Sequence, residues 1–220
     1  MDEAIRLNPI TARLQGPGGY YNAGNLIGFG TSVWLQLVAA AEARQSGANA
    51  LLAHLLGSPV SISLTLATTI FMVGGEVYYR AWKDRTVPDA RLNRMGDLLS
   101  ALGALALTYG LAQLGHPVLA LISGLLIIVG KLGNALFGDG ATIPGWSADW
   151  GDPFRLAVLL GRLPAIFAIS IDLTTLLGPS LDGRPNGSLL VQAAVLALCH
   201  VLWIKADLML LIAARKTSPA

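Results

Sequence analysis

The sequence predicts an all-α, polytopic membrane protein: a bundle of six transmembrane helices arranged as three helical hairpins. Three observations predict it. The chain of 220 residues is 54% hydrophobic and 13% charged, where soluble domains run closer to a quarter charged. Six apolar runs approach the roughly 20 residues a helix needs to cross the hydrocarbon layer, at 25–42, 59–81, 95–115, 117–137, 155–177 and 188–213. Between them recur short turn sequences, LLGSP at 55–59, QLGHP at 113–117 and LLGPS at 176–180 on one side, DRTVP at 84–88 and DGATIP at 139–144 on the other. Such recurrence is what stacked hairpin repeats would leave; the simpler account is that Gly ends one helix and Ser or Pro starts the next.

The organisation that follows is an N-terminal segment at 1–24, one six-helix transmembrane domain at 25–213 and a tail at 214–220. The opening, MDEAIRLNPITARLQGPGGYYNAG, lacks the basic start and unbroken apolar core of a secretory signal, so it is expected to remain on the protein. The first span carries Gly24, Gly28 and Ser32 on one side, a small-residue face that lets another helix approach closely. ARQSGANALLAHLLG, which follows, is too short to span and is expected along the outer interface, with His54 as an interfacial polar residue.

The second span has the longest polar stripe, with Ser58, Thr65, Thr69 and Glu76 in a narrow angular range. A stripe of this kind either lines a solvated path or bonds back to its own carbonyls; Glu76 can also be held by Arg80 one turn on. In the third span Gly96, Gly103 and Gly110 recur with Ser100 between them, a second smooth face. Gly124, Lys131 and Asn134 share a face of the fourth. In the fifth, Pro164 removes a backbone donor beside Arg162, and Asp172 lies on a stripe with Ala165, Ala168 and Thr175. The loop at 138–155 is the longest connection, and its Gly and Pro content argues against a domain of its own. The last span holds His200, Lys205 and Asp207. Residues two apart lie about 200° around a helix, so Lys205 and Asp207 address different neighbours: Arg162 or Lys131 for Asp207, and Glu76, Asp97 or the inner interface for Lys205.

Lys and Arg outside the spans collect on one side, with Arg6, Arg13, Arg80, Lys83, Arg85, Arg91, Arg94, Arg155, Arg215 and Lys216 there against Arg44 and Arg184 opposite. The asymmetry predicts both termini in the cytoplasm, in a bacterial-type inner (plasma) membrane. Trp82, Trp146 and Trp150 fit the inner interface.

Charge inside a membrane costs at least about 2.5 kcal/mol, so Glu76, Asp97, Lys131, Arg162, Asp172, Lys205 and Asp207, with His200 beside them, are the candidate functional residues. Three acids and three bases share the inner half. That balance suggests pairing between helices and argues against a pore ringed by one sign of charge. One Cys, Cys199, excludes a disulfide framework and a Cys-based metal site. The scattered histidines give no metal or haem pair, and no cofactor is expected. No basic run suggests nucleic acid, and no GxSxG, HExxH or Walker A sequence occurs.

The functional expectation is a small permease-like or transport-associated bundle with a polar cavity open to the cytoplasm. Glu76, Lys131, Arg162, His200 and Asp207 would line it, with Asp97, Asp172, Lys205, Thr65 and Thr69 in secondary places. Partners would be the lipid bilayer and a small-molecule solute. One alternative is a non-catalytic membrane subunit or assembly factor, held by a membrane protein partner or as a homo-oligomer. The other is a membrane enzyme acting on an isoprenoid or lipid by acid catalysis. For that alternative Glu76 and Asp207 are similar to the acid pair of small integral-membrane terpene cyclases, at those two positions only and in six expected spans where that family has seven.

Overall fold

In a computed structural model, the chain is described over residues 16–42, 52–53, 56–57, 59–85, 87–113, 117–138, 143–146, 151–177 and 187–217, with the backbone alone given at 31–42, 60–61, 64, 168–177, 187–193 and 213–217. Six helices follow one another: α1 Gly16–Glu42, α2 Pro59–Trp82, α3 Ala90–Ala112, α4 Pro117–Phe137, α5 Pro153–Leu177 and α6 Gly187–Thr217. No strand occurs among the described residues.

The helix starts follow local chemistry. Pro59, Pro117 and Pro153 open α2, α4 and α5, where a missing N–H costs nothing. Asp89 caps α3 by accepting from the Arg91 and Leu92 amides at 3.0 and 3.1 Å. Asp152 caps α5 in the same way, accepting from Phe154 and Arg155 at 2.9 and 3.0 Å. The first helix begins at Gly16, well ahead of the expected start at 25, and carries Tyr21, Asn22 and Asn25 into the core.

Among the described residues, three helices are long and apolar enough to cross a membrane: Ala90–Ala112, Pro117–Phe137 and the Ala194–Ile212 stretch of α6. The expected count of six spans is corrected to that extent. The described stretches of the other three helices are interrupted by polar side chains, and many of these are buried in the bundle: Asn22 and Asn25 in α1, Ser63 in α2, Arg155 and Arg162 in α5.

Consecutive helices pack on one another, and α1 packs on α6, so the six close into a ring. Glycines set the approach within it. A Cβ at Gly96 of α3 would lie 2.9 Å from the Tyr78 ring of α2, and one at Gly103 would lie 2.9 Å from the Phe71 ring. A Cβ at Gly24 of α1 would lie 2.6 Å from the indole nitrogen of Trp203, and one at Gly161 of α5 would lie 2.7 Å from Ile127 of α4. Each odd helix thus receives a large side chain from the preceding even helix, with α6 preceding α1 around the ring. Where lipid is as apolar as the helices, this close packing, rather than exclusion of water, holds them together.

The outer faces are apolar. Leu98, Leu102, Leu105 and Tyr109 run down α3, Val118, Leu121, Leu125, Val129, Leu132 and Leu136 down α4, and Leu198, Val201, Leu208 and Ile212 down α6, all exposed. Their spacings of three and four place each set on one side of its helix. So large an exposed apolar surface is what a lipid-facing bundle presents.

Candidate functional site

The centre of the ring is polar, and every helix supplies one member of it. The Lys131 ammonium of α4 donates to the Tyr21 hydroxyl of α1 at 3.1 Å and to the Tyr78 hydroxyl of α2 at 3.0 Å. It lies 3.3 Å from Asp97 of α3 and 4.0 Å from Asp207 of α6. Tyr78 donates its hydroxyl proton to Asp97. Arg162 of α5 donates from Nε to Asp207 at 3.0 Å. All six side chains are buried, Lys131 and Asp97 to within 1% of full burial.

Aromatic rings hold the cations in place. Tyr21 and Tyr78 stack with centroids 5.1 Å apart, and the Lys131 nitrogen sits 4.7 and 5.0 Å from their centres. The Arg162 guanidinium lies 5.2 Å from the Trp203 ring. Stacking of this kind is favourable for a desolvated cation. Trp203 is fixed in turn: its indole N–H donates to Asn25 Oδ1 at 3.0 Å, and the Asn25 amide donates to the Phe71 carbonyl. Arg155, also buried, and Asn134 line a second space beside Lys131 and Asp207 that is too small for a water molecule. Two buried acceptors there and at the network's edge, Asn134 Oδ1 and Asp97 Oδ2, have no hydrogen-bond partner among the described residues.

Between these groups is a cavity of about 10 Å³, bordered by Lys131, Arg162, Asn25, Ser100, Ile127 and the rings of Tyr21, Tyr78, Phe71 and Trp203. That is space for about one water molecule.

Of the five residues expected to line a cavity, Lys131, Arg162 and Asp207 meet in the network, and Asp97 from the secondary set joins them. His200 is buried one turn away, edge-on to Trp203 at 5.1 Å and bonded through Nδ1 to its own helix at the Leu196 carbonyl, 2.8 Å. Glu76 sits apart on the flank of α2, its carboxylate 3.0 Å from Arg80. Thr69 is exposed and donates to the Thr65 carbonyl at 2.8 Å, so this hydroxyl bonds back to its own helix. The exposed stripe of α2 runs through Ile62, Leu66, Thr69 and Val73, and its buried stripe through Ser63, Ala67, Gly74 and Tyr78. Lys205 lies on the outward stripe of α6 with its nitrogen 4.2 Å from the Tyr20 ring centre, where an acid from a neighbouring helix or the inner interface was the expectation. The side chains of Ser58, Asp172 and His54 lie outside the described residues.

Tyr21, Asn25 and Tyr78 are the members that sequence reasoning does not single out. A signal for them exists. The chain pairs tyrosines twice, Tyr20–Tyr21 and Tyr78–Tyr79, and sets a polar residue between Gly and Leu five times, at Asn25, Asp97, Lys131, Arg162 and Ser188. Asn25, Asp97, Lys131 and Arg162 are all buried, each after a glycine at which a neighbouring helix packs closely. No protein-family model matches the chain, and neither does any curated protein or solved structure.

Proposed function

We propose that the protein is a small permease-like membrane bundle whose central network is the closed form of a polar pathway. The observation that carries this reading is the convergence of one hydrogen-bonding or charged side chain from each of six helices on one buried point. A bundle held only by packing gains little from such a centre, since burying an ion pair costs several kcal/mol per ion in desolvation and an apolar replacement is often neutral or stabilising. A network whose members sit on different helices, by contrast, can be opened by moving any one helix relative to its neighbours.

In this reading all six helices cross the membrane as three hairpins. Three cross on their own hydropathy, and α1, α2 and α5 cross because the ring encloses their polar side chains. The bias of Lys and Arg toward one side of the chain supports cytoplasmic termini in an inner membrane.

The test is solute entry into proteoliposomes, followed by light scattering during osmotic shrinkage and reswelling across a panel of small solutes. Reswelling faster than in protein-free vesicles, and slowed at least tenfold by Asp207→Asn, is the expected result. Rates equal to protein-free vesicles for every solute would sink it and favour a second reading. That reading, a non-transporting membrane subunit with a permanently closed core, is supported by the water-sized cavity and the direct pairing of Arg162 with Asp207. Stoichiometric co-purification of a membrane partner would then be its signature.

A further inference from the structure

The central cavity has a chemical sign. Neither carboxylate of the network borders it, whereas Lys131 and Arg162 both do, together with Asn25 and Ser100. The two cations differ in what they have left to offer. Lys131 is occupied on every side, by two hydroxyls and two carboxylates. Arg162 binds Asp207 through Nε alone and rests its guanidinium on Trp203. Its two terminal nitrogens, which carry four N–H donors, have no hydrogen-bond partner among the described residues, although the residue is only 6% exposed.

A guanidinium can serve two anions at once because its donors point in different directions. Asp207 takes one direction. The cavity side is the other. Its remaining walls are the side chains of Tyr21, Tyr78, Phe71, Trp203 and Ile127, and its volume of about 10 Å³ excludes anything much larger than a water molecule or a halide ion.

We propose that this cavity is a binding site for a small monovalent anion of halide size, held by the terminal nitrogens of Arg162 with Trp203 beneath them. The site identifies the solute class for the pathway proposed above; only its transport consequence rests on that reading, and binding stands independently of it. A cation would meet two positive side chains and no carboxylate. A multivalent or organic anion would not fit the closed form.

The experiment is a chloride titration of the purified full-length chain in lipid nanodiscs, with gluconate replacing chloride at constant ionic strength. The readout is the Trp203 contribution to indole emission, taken as the difference between the wild type and Trp203→Phe. A saturable change with chloride is expected, with the dissociation constant raised at least tenfold in Arg162→Gln and unchanged within twofold in Arg80→Gln. Ser100→Val, which fills the cavity and keeps the Arg162–Asp207 pair, provides the second variant and is also expected to weaken binding at least tenfold. No saturable response in the wild type overturns the proposal, and so does a response that survives in Ser100→Val. Chloride binding without chloride flux in proteoliposomes supports this site and removes the transport reading. Flux of other solutes without chloride binding removes the site and keeps that reading.

Discussion

Opposite charges meet both at the end of α2 and at the centre of the ring, and they do different work in each place. At the C-terminal end of α2 and the turn after it, Glu76 pairs with Arg80 and Arg85 with Asp89, each at 3.0 Å and each four residues apart. At the ring centre, Lys131 meets Asp97 at 3.3 Å and Arg162 meets Asp207 at 3.0 Å, from helices far apart in sequence. The lengths are similar, but the side chains of the first set are 35–67% exposed and those of the second at most 7%. An exposed pair exchanges water for a partner of nearly equal worth. A buried charge has no water to return to, so losing its partner leaves the whole desolvation cost uncompensated.

The largest expected effect is therefore at Lys131. Lys131→Met leaves Asp97 facing Tyr78 without a cation and should destabilise the chain by about 3–5 kcal/mol, read as a loss of unfolding free energy in mixed micelles or as loss of folded yield. A cost below about 1 kcal/mol would mean the buried pair behaves like a surface one. Next comes Gly96→Ala, whose new methyl would lie 2.9 Å from the Tyr78 ring. Moving that ring breaks its bond to Asp97, and a cost of about 1–3 kcal/mol is expected in the same unfolding measurement.

Glu76→Gln should cost only about 0.3–0.5 kcal/mol, and raising salt from 0.05 to about 1 M should erase the difference from wild type. The wild-type centre should keep its stability over the same range when the salt is a gluconate, whose anion does not fit the central cavity and whose screening does not reach buried pairs. The smallest effect is at Asp89. The amide hydrogen bond from Leu92 and the Arg85 guanidinium hold its carboxyl below the ordinary aspartate range. Its contribution is therefore present above about pH 3.9, the unfolded value, and is lost as the pH falls through the lower folded value. Fraying of the first turn of α3 in acid, seen as faster exchange of the Leu92 amide, is expected in wild type. It should lose that pH dependence in Asp89→Asn, which keeps the cap without the charge.

Much of this was legible from residue types alone. The helical class, the apolar faces and the near-antipodal directions of Lys205 and Asp207 follow from composition and the helical period, which are local properties. That Asp207 is the one buried, against Arg162, and Lys205 the one on the outward stripe is seen only in the structure. The second helix was harder. Its regular series of Thr65, Thr69 and Glu76 marks a face, but period alone does not say whether a face looks inward or outward. The small residues at Gly74 and Gly75 and the bulk of Tyr78 decided that, by fitting against α3 and α1. Tyr21 was hidden for a related reason: a Gly-rich, Tyr-rich opening reads as a connection until a neighbour shows that it packs.

By itself the sequence determined the helices, the costly charges and the apolar exterior, because hydropathy and helical period act over a few turns of one chain segment. Only the tertiary structure decided which charges meet. Asp97, Lys131, Arg162 and Asp207 carry no mark of their partners, since pairing depends on how closely two helices approach. That approach is set by glycines opposite Tyr78, Trp203 and Ile127. The cationic character of the cavity is a property of this arrangement, because it depends on both acids standing behind the cations they neutralise.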